Sequence, residues 1–130
     1  MPTLNVTLDT TKTPWAVNVN QSNGLNEIPQ SSVVQTITWQ LTGNAASGTF
    51  NSLTDPNNPG FAFTGTQPPR GVFTSPTVNG NQFTLNDLNN GPNSTGTWTY
   101  KLCINVGGTV YTTINTSPTG ATTNPSLKNK

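Results

Sequence analysis

Residues 96–113 read GTWTYKLCINVGGTVYTT, and this stretch decides the fold class. Apolar side chains occupy every second position from Trp98 to Val106, with threonine, lysine, cysteine and asparagine between them, which is the period of a half-buried β-strand. A Gly-Gly pair at 107–108 then offers the two positive-φ positions that a two-residue hairpin turn requires, and β-branched residues follow it. The sequence therefore predicts two antiparallel strands joined by a tight turn.

Short alternating patterns separated by turn signals fill most of the remaining chain. The predicted strands there are residues 3–8, 15–19, 33–41, 49–53, 61–64, 72–77 and 82–85. The pattern directs Trp15 inward and makes Trp39 the large central residue of the core. Asn79-Gly80 predicts a second hairpin turn, of type I′. Because no helical period of useful length occurs, the pattern predicts an all-β fold, an antiparallel sandwich or barrel of about seven to nine strands.

The length of 130 residues fits one domain that buries a single core without disulfides or metal. The alternating patterns end near residue 115, and the stretch after it has no periodicity. We therefore expect one β-sandwich domain over residues 1–115 and a C-terminal tail or strap over residues 116–130.

Polarity in this chain comes from neutral groups, because charged residues make up only 7% of it while asparagine and threonine together make up about a third. The basic side chains are dispersed: Lys12, Arg70, Lys101, Lys128 and Lys130. Nucleic acid is therefore an unexpected partner, since there is no patch to neutralise a phosphate backbone. Membrane insertion is also not expected, because no apolar run approaches the length that spans a bilayer.

The compartment is left open between two alternatives. The first residues show neither a basic flank nor an apolar segment of the kind found in a secretory signal, so either the protein stays in the cytosol or a leader has been removed. Cys103 is the only cysteine, which is compatible with a reducing compartment and slightly favours the cytosol. A surface rich in threonine and asparagine, by contrast, is common in exported β proteins.

Catalysis is not expected, and neither is a cofactor or a structural zinc ion. The chain has no histidine, which removes the common nucleophilic triads and the usual general base near neutral pH. The four carboxylates lie in different loops or strand ends, namely Asp9, Glu27, Asp55 and Asp87. Asp87 and its neighbours Asn86, Asn89 and Asn90 form the only dense cluster of oxygen ligands, but such loops more often bond their own backbone than hold calcium.

Carbohydrate binding remains open, because sugars are bound by neutral amides and hydroxyls beside an exposed aromatic face. The candidate is the loop that carries Asn57 and Asn58 together with Phe61 and Phe63. In the alternative interpretation, the two phenylalanines alternate into the core.

Self-association or another protein contact is predicted from the register of the last hairpin. With a two-residue turn at 107–108, Ile104 faces Tyr111, which directs Val110 and Ile114 to the opposite face of the sheet. Both faces of the last strand would then carry apolar groups. Two explanations are possible for that apolar face. Either a bulge corrects the register of the hairpin, or the face is covered by the C-terminal tail, by a neighbouring subunit or by another partner.

The strand TITWQL around Trp39, with GTWTYKLCI and the hairpin after it, resembles the immunoglobulin-like sandwich. In that family a central tryptophan packs between two sheets. The resemblance implies an immunoglobulin-like core without the family's disulfide, and with Trp98 at the position of the corner tyrosine.

Five segments together resemble a family of short bacterial proteins labelled DP-EP: TPWAVNV, TITWQL, DPNNPGF, GTWTYKL and TNPSLKNK. Asp55-Pro56 would be the first dipeptide of that label, and no Glu-Pro occurs in this chain. The resemblance implies a fold more than a function.

The sequence as a whole predicts a non-catalytic binding or structural module for protein contact or self-association, with carbohydrate binding as the alternative.

Overall fold

The computed structural model describes residues 2–11, 13–113 and 125–130. Eleven strands form within these ranges: β1 (Thr3–Asp9), β2 (Ala16–Val19), β3 (Glu27–Ile28), β4 (Gln35–Leu41), β5 (Thr49–Phe50), β6 (Phe61–Thr64), β7 (Phe73–Asn79), β8 (Gln82–Asp87), β9 (Gly96–Val106), β10 (Thr109–Thr112) and β11 (Ser126–Asn129). The only helices there are three 3₁₀ turns of three residues each, and none is long enough to cross a membrane. The prediction of an all-β fold is confirmed.

The strands form two sheets that pack face to face. The first sheet has the order β2-β1-β4-β8-β7. The second is built on the long strand β9, which pairs along one edge with β11 and then β10, and along the other with β6 and then β5. Strand β3 extends this sheet beyond β11. One side of the sandwich is therefore bounded by β2 and β10, and the opposite side by β7 with β5 and β6.

The core lies between the sheets and is centred on an aromatic cluster. Trp39 is fully buried, as predicted, and packs against Phe61, Phe83 and Tyr100 with ring centroids 5.2 to 5.5 Å apart. The alternation that predicted β9 holds in the structure, since Trp98, Tyr100, Leu102 and Ile104 are all buried. Each sheet thus contributes alternate side chains to one shared interior.

The hairpin between β9 and β10 forms as predicted. Gly107 and Gly108 have φ values of 62° and 87°, the pattern of a type I′ turn, and Tyr111 pairs with Ile104. The ladder continues from the turn to Thr112 and Cys103 without a bulge. The other predicted turn is shifted by one residue, because Asn79 pairs with Gln82 and the positive φ falls on Gly80, the first central position. This is the arrangement of a type II′ turn.

Two strand pairs depart from the predicted antiparallel pattern, since β1 runs parallel to β4 and β11 runs parallel to β3. The first arises because the chain leaves β2, contributes β3 to the other sheet, and returns to β4 in the direction of β1. Most of the expected C-terminal tail or strap, residues 116–124, lies outside the described residues, but its end has a regular structure. Ser126–Asn129 is a strand hydrogen-bonded to both β9 and β3, with Leu127 in the core.

The starts of two strands were predicted too early. Strand β2 begins at Ala16, so Trp15 lies before it with 46% of its surface exposed rather than pointing inward. Strand β4 begins at Gln35, and Val33 is 67% exposed. In both places the alternation of apolar residues in the sequence extends beyond the end of the strand. The apolar residue outside the ladder is exposed because no cross-strand partner holds it against the core.

Candidate binding surface

The predicted carbohydrate loop is closed by its own hydrogen bonds. Asp55 Oδ1 accepts from the backbone N–H groups of Asn57 at 3.0 Å and Asn58 at 2.8 Å, and these bonds lower the pKa of Asp55. The Asn58 carbonyl accepts from Asn51 Nδ2 at 3.1 Å. The result is an Asx-type turn, in which a short polar side chain caps the backbone that follows it.

The two phenylalanines of that prediction pack against other aromatic rings. Phe61 is buried and stacks between Phe83 and Tyr100, with centroids 4.8 and 5.0 Å away. Phe63 is half-buried and packs edge-on against Phe61. Both rings line a small apolar cavity of about 310 Å³ between β6 and β7. The structure therefore does not bring an exposed ring beside Asn57 and Asn58.

Val110 lies on the outer face of β10 and is 42% exposed. Ile114, the other residue predicted to share that face, lies outside the described residues. The described pairing of β10 with β9 is regular from Thr109 to Thr112, so no bulge in it turns Val110 toward the core.

In the described ranges, no group of three or more histidine, cysteine, aspartate or glutamate side chains lies close enough together to hold a metal ion. The predicted cluster of oxygen ligands around Asp87 does not form a single site, because Asp87 and Asn89 are buried whereas Asn90 is exposed. Cys103 is buried in β9, and burial raises the pKa of its thiol, with Lys101 opposing that shift. A thiol in this setting is a poor nucleophile.

Asp87 instead belongs to a buried polar network at one end of the sandwich. Asn129 Nδ2 donates to Asp87 Oδ1 and to the Ser94 carbonyl, both at 2.9 Å. Asn89 Nδ2 donates to the Ile28 carbonyl at 2.9 Å, and Asn89 Oδ1 accepts from Ser94 Oγ at 2.8 Å. Sequence reasoning missed this network. Only the alternation of β8, which puts Asp87 on the face of Phe83 and Leu85, could have indicated a buried carboxylate.

A surface that the sequence did not indicate lies where β2 meets β10. Trp15 and Tyr111 stack there with ring centroids 5.9 Å apart and planes inclined by 19°. They line a shallow groove of about 370 Å³, which we call the Trp15–Tyr111 groove. The described residues that line it are Thr10, Thr13, Pro14, Trp15, Thr109 and Tyr111. None of these side chains is charged.

The polar groups of this groove are available to a ligand. Thr10, Thr13 and Thr109 are exposed, and within the described part of the chain their hydroxyls have no hydrogen-bond partner. Trp15 retains nearly half of its accessible surface although Tyr111 covers one part of it. A solvent-exposed hydroxyl can both donate and accept hydrogen bonds. An exposed indole offers an apolar face and an N–H donor at its edge. The groove therefore combines a flat apolar surface with neutral hydrogen-bonding groups.

No protein-family model matches this chain, and no curated protein is significantly similar to it in sequence.

Proposed function

We propose that the protein is a non-catalytic binding module and that its ligand is a neutral carbohydrate held in the Trp15–Tyr111 groove. The observation that carries the proposal is the exposed stack of Trp15 on Tyr111 among uncharged hydroxyls. The proposal keeps carbohydrate as the ligand class that the sequence suggested. It places the binding site on the opposite side of the sandwich from the Asn57–Asn58 loop.

The chemistry of a sugar ring matches these groups. One face of a pyranose is lined by C–H groups and packs on an aromatic ring, while its hydroxyls exchange hydrogen bonds with neutral donors and acceptors. The described lining residues carry no charge, which disfavours anionic ligands, because charge-assisted hydrogen bonds supply much of the binding energy for such ligands. A shallow site of this kind suits one or two sugar units of a longer chain rather than an enclosed small molecule.

A glycan array or a panel of soluble oligosaccharides tests the proposal. Trp15→Ala is expected to lower the affinity at least about tenfold, since it removes the apolar platform. Val33→Ala is the matched control, because Val33 is an exposed apolar side chain outside the groove. Asn58→Ala is the second control and should bind normally. Binding lost in Asn58→Ala but kept in Trp15→Ala would return the site to the loop, and an empty array would contradict carbohydrate binding altogether.

Protein contact or self-association through β10 is the second candidate. Strand β10 pairs with β9 alone in the described part of the chain, and its sequence TVYT has high strand propensity and no charge. The β7 edge of the first sheet, by contrast, is protected against such pairing. Strand β7 carries Pro76 and a bulge, in which the two residues Ser75 and Pro76 stand opposite the single residue Leu85 of β8. Within the described residues, β10 carries neither a proline nor a bulge, and Val110 is exposed on it, so a further strand could add to this edge.

Light scattering tests this second candidate. An oligomer would give a multiple of the 13.7 kDa chain mass, and Val110→Lys would reduce it to the monomer because a charge would have to be buried at the contact. Val33→Lys, with the same charge at an exposed valine elsewhere, should leave the mass unchanged. A monomer at every concentration would contradict self-association without affecting carbohydrate binding.

We also propose the relationship to immunoglobulin-like sandwiches and to the DP-EP proteins. The packing of Trp39 between two sheets supports the first, and Asp55-Pro56 at the start of a capped turn is consistent with the second. An experimental structure of a DP-EP protein with the same sheet orders, β2-β1-β4-β8-β7 against a β9-centred sheet, would support the relationship to that family. A different topology would contradict the family relationship.

A further inference from the structure

One hydrogen bond joins the two sheets through side chains at the end of the sandwich. Asp87 is the last residue of β8 in the first sheet, and Asn129 is the last residue of β11 in the second. Asn129 Nδ2 donates to Asp87 Oδ1 at 2.9 Å. Asp87 is 0% and Asn129 1% exposed, so the bond is shielded from water.

One carboxylate oxygen of Asp87 and the amide oxygen of Asn129 have no hydrogen-bond partner. Asp87 Oδ2 and Asn129 Oδ1 are both buried and make no hydrogen bond. Asn129 has no donor left to offer, because its Nδ2 already serves Asp87 Oδ1 and the Ser94 carbonyl. Two buried acceptors without a donor are costly, and such groups are rare in folded proteins.

A single proton supplies the missing donor. We propose that Asp87 is protonated on Oδ2 in weakly acidic solution and donates to Asn129 Oδ1, so that the pair is a proton-operated latch between β11 and the first sheet. The neutral carboxyl and the amide then exchange two hydrogen bonds in place of one. Burial raises the pKa of Asp87 to about 6, and the bond from Asn129 only partly opposes that shift.

Among the described residues, no charged side chain is paired with Asp87 in place of the proton. The residues that pair with Asp87 on β4 and β7 are the neutral Gln35 and Phe73. On β11 and β3, Lys130 Nζ lies 3.2 Å from Glu27 Oε1, the one ion pair found within the described ranges. Lys128 and Arg70 are exposed and form no ion pair with Asp87. Ionisation of Asp87 would therefore leave a buried carboxylate held by one side-chain hydrogen bond.

The sign of the pH dependence follows from the direction of the shift. The pKa of Asp87 is higher in the folded protein than its ordinary value of 3.8, so between those two values the folded state binds more protons than the unfolded state. Stability from this group is fully present below about pH 4 and is lost as the pH rises through about 6. The latch therefore tightens on acidification.

Strand β11 is the element that this latch controls. Its Leu127 fills the core, while Asn89 Nδ2 also donates to the Lys130 carbonyl at 3.2 Å, next to the latch. Asp87 is the residue facing β11 whose pKa is raised by burial, so opening of this strand should follow the ionisation of Asp87. On the scale of the pKa shift, amide protection factors in β11 should fall about tenfold between pH 5 and pH 8.

The test is a carboxyl NMR titration of the full chain together with thermal unfolding and amide exchange at pH 5 and pH 8. We expect a midpoint near 6 for Asp87, a Tm that falls from pH 5 to pH 8, and lost protection at Leu127 and Asn129. Asp87→Asn keeps the shape and places an N–H donor at the second position. It should remove the pH dependence and unfold at a higher temperature than the natural protein at pH 8.

Asp55→Asn is the control, because the Asp55 carboxylate is solvent-exposed, has a lowered pKa and stays ionised throughout this range. It should keep the pH dependence of the natural protein. A midpoint near the ordinary value for aspartate, a Tm that does not change between pH 5 and 8, or an Asp87→Asn protein less stable than the natural one at pH 8 would each overturn the latch. The NMR titration decides the question even if Asp87→Asn fails to fold.

Discussion

Trp39 shows how one side chain both fills and orients the core. Its indole is surrounded by aromatic rings, and its Nε1–H donates to the Tyr100 hydroxyl at 3.0 Å. Both residues are fully buried, and burial raises the pKa of Tyr100 far above its usual range. Because Trp39 belongs to β4 and Tyr100 to β9, this bond joins the two sheets at the centre of the sandwich.

Trp39→Phe should lower the free energy of unfolding by about 2–4 kcal/mol, since it leaves space in the core and an unpaired Tyr100 hydroxyl. Tyr100→Phe should cost about 1–3 kcal/mol, because the Trp39 N–H is then buried without an acceptor. The double variant should lose clearly less than the sum of the two. Urea unfolding followed by circular dichroism measures all three. Strict additivity would contradict the proposed coupling.

Strand β11 depends on tertiary contacts for its structure. Residues 126–129 lack the length and the β-branched composition of a strong strand, but they fit between β9 and β3 and direct Leu127 into the core. The neighbouring Lys128 points to solvent. Adjacent positions on this short strand therefore face opposite environments, as the pleat of a sheet requires.

Leu127→Ala should lower the free energy of unfolding by about 2–4 kcal/mol through the cavity it leaves. Lys128→Ala, one residue along and exposed, should change it by no more than about 0.5 kcal/mol. Chemical denaturation at one pH measures both. If the two substitutions cost the same, residues 126–129 are not a strand of this sheet in solution.

The molecule as a whole is held together with little contribution from charge. The chain has five basic and four acidic residues, and its described part contains one ion pair, between the partly exposed side chains of Glu27 and Lys130. Exposed ion pairs contribute little to stability, and salt screens what they contribute. Burial of apolar side chains between the two sheets carries the fold instead.

Sodium chloride at 0.5 M should therefore change the free energy of unfolding by less than about 0.5 kcal/mol. Sodium sulfate at the same ionic strength should raise it, because sulfate is excluded from the protein surface and strengthens apolar burial. Equilibrium unfolding at a fixed pH compares the two salts. A loss of more than about 1 kcal/mol in sodium chloride would mean that charge interactions matter more than the structure indicates.

Local sequence was a good guide wherever a strand had both a long alternation and a clear turn. The hairpin of β9 and β10 and the buried position of Trp39 were predicted on that basis. The candidate groove was not predictable in the same way, because alternation alone directed Trp15 inward. Its stacking partner Tyr111 comes from a strand near the other end of the chain, and only the packing of β2 beside β10 brings the two rings together.

The sequence by itself determined the all-β class, the faces of the long strands and the absence of histidine chemistry, since each depends on neighbouring residues or on composition. Tertiary structure alone decided the parallel pairs, the place of Ser126–Asn129 in the sheet, and the contacts of Trp15 and Asp87. The physical reason is that pairing between distant segments depends on the space and the unpaired backbone groups left by the rest of the fold. Such spaces leave no periodic trace in the segments that fill them.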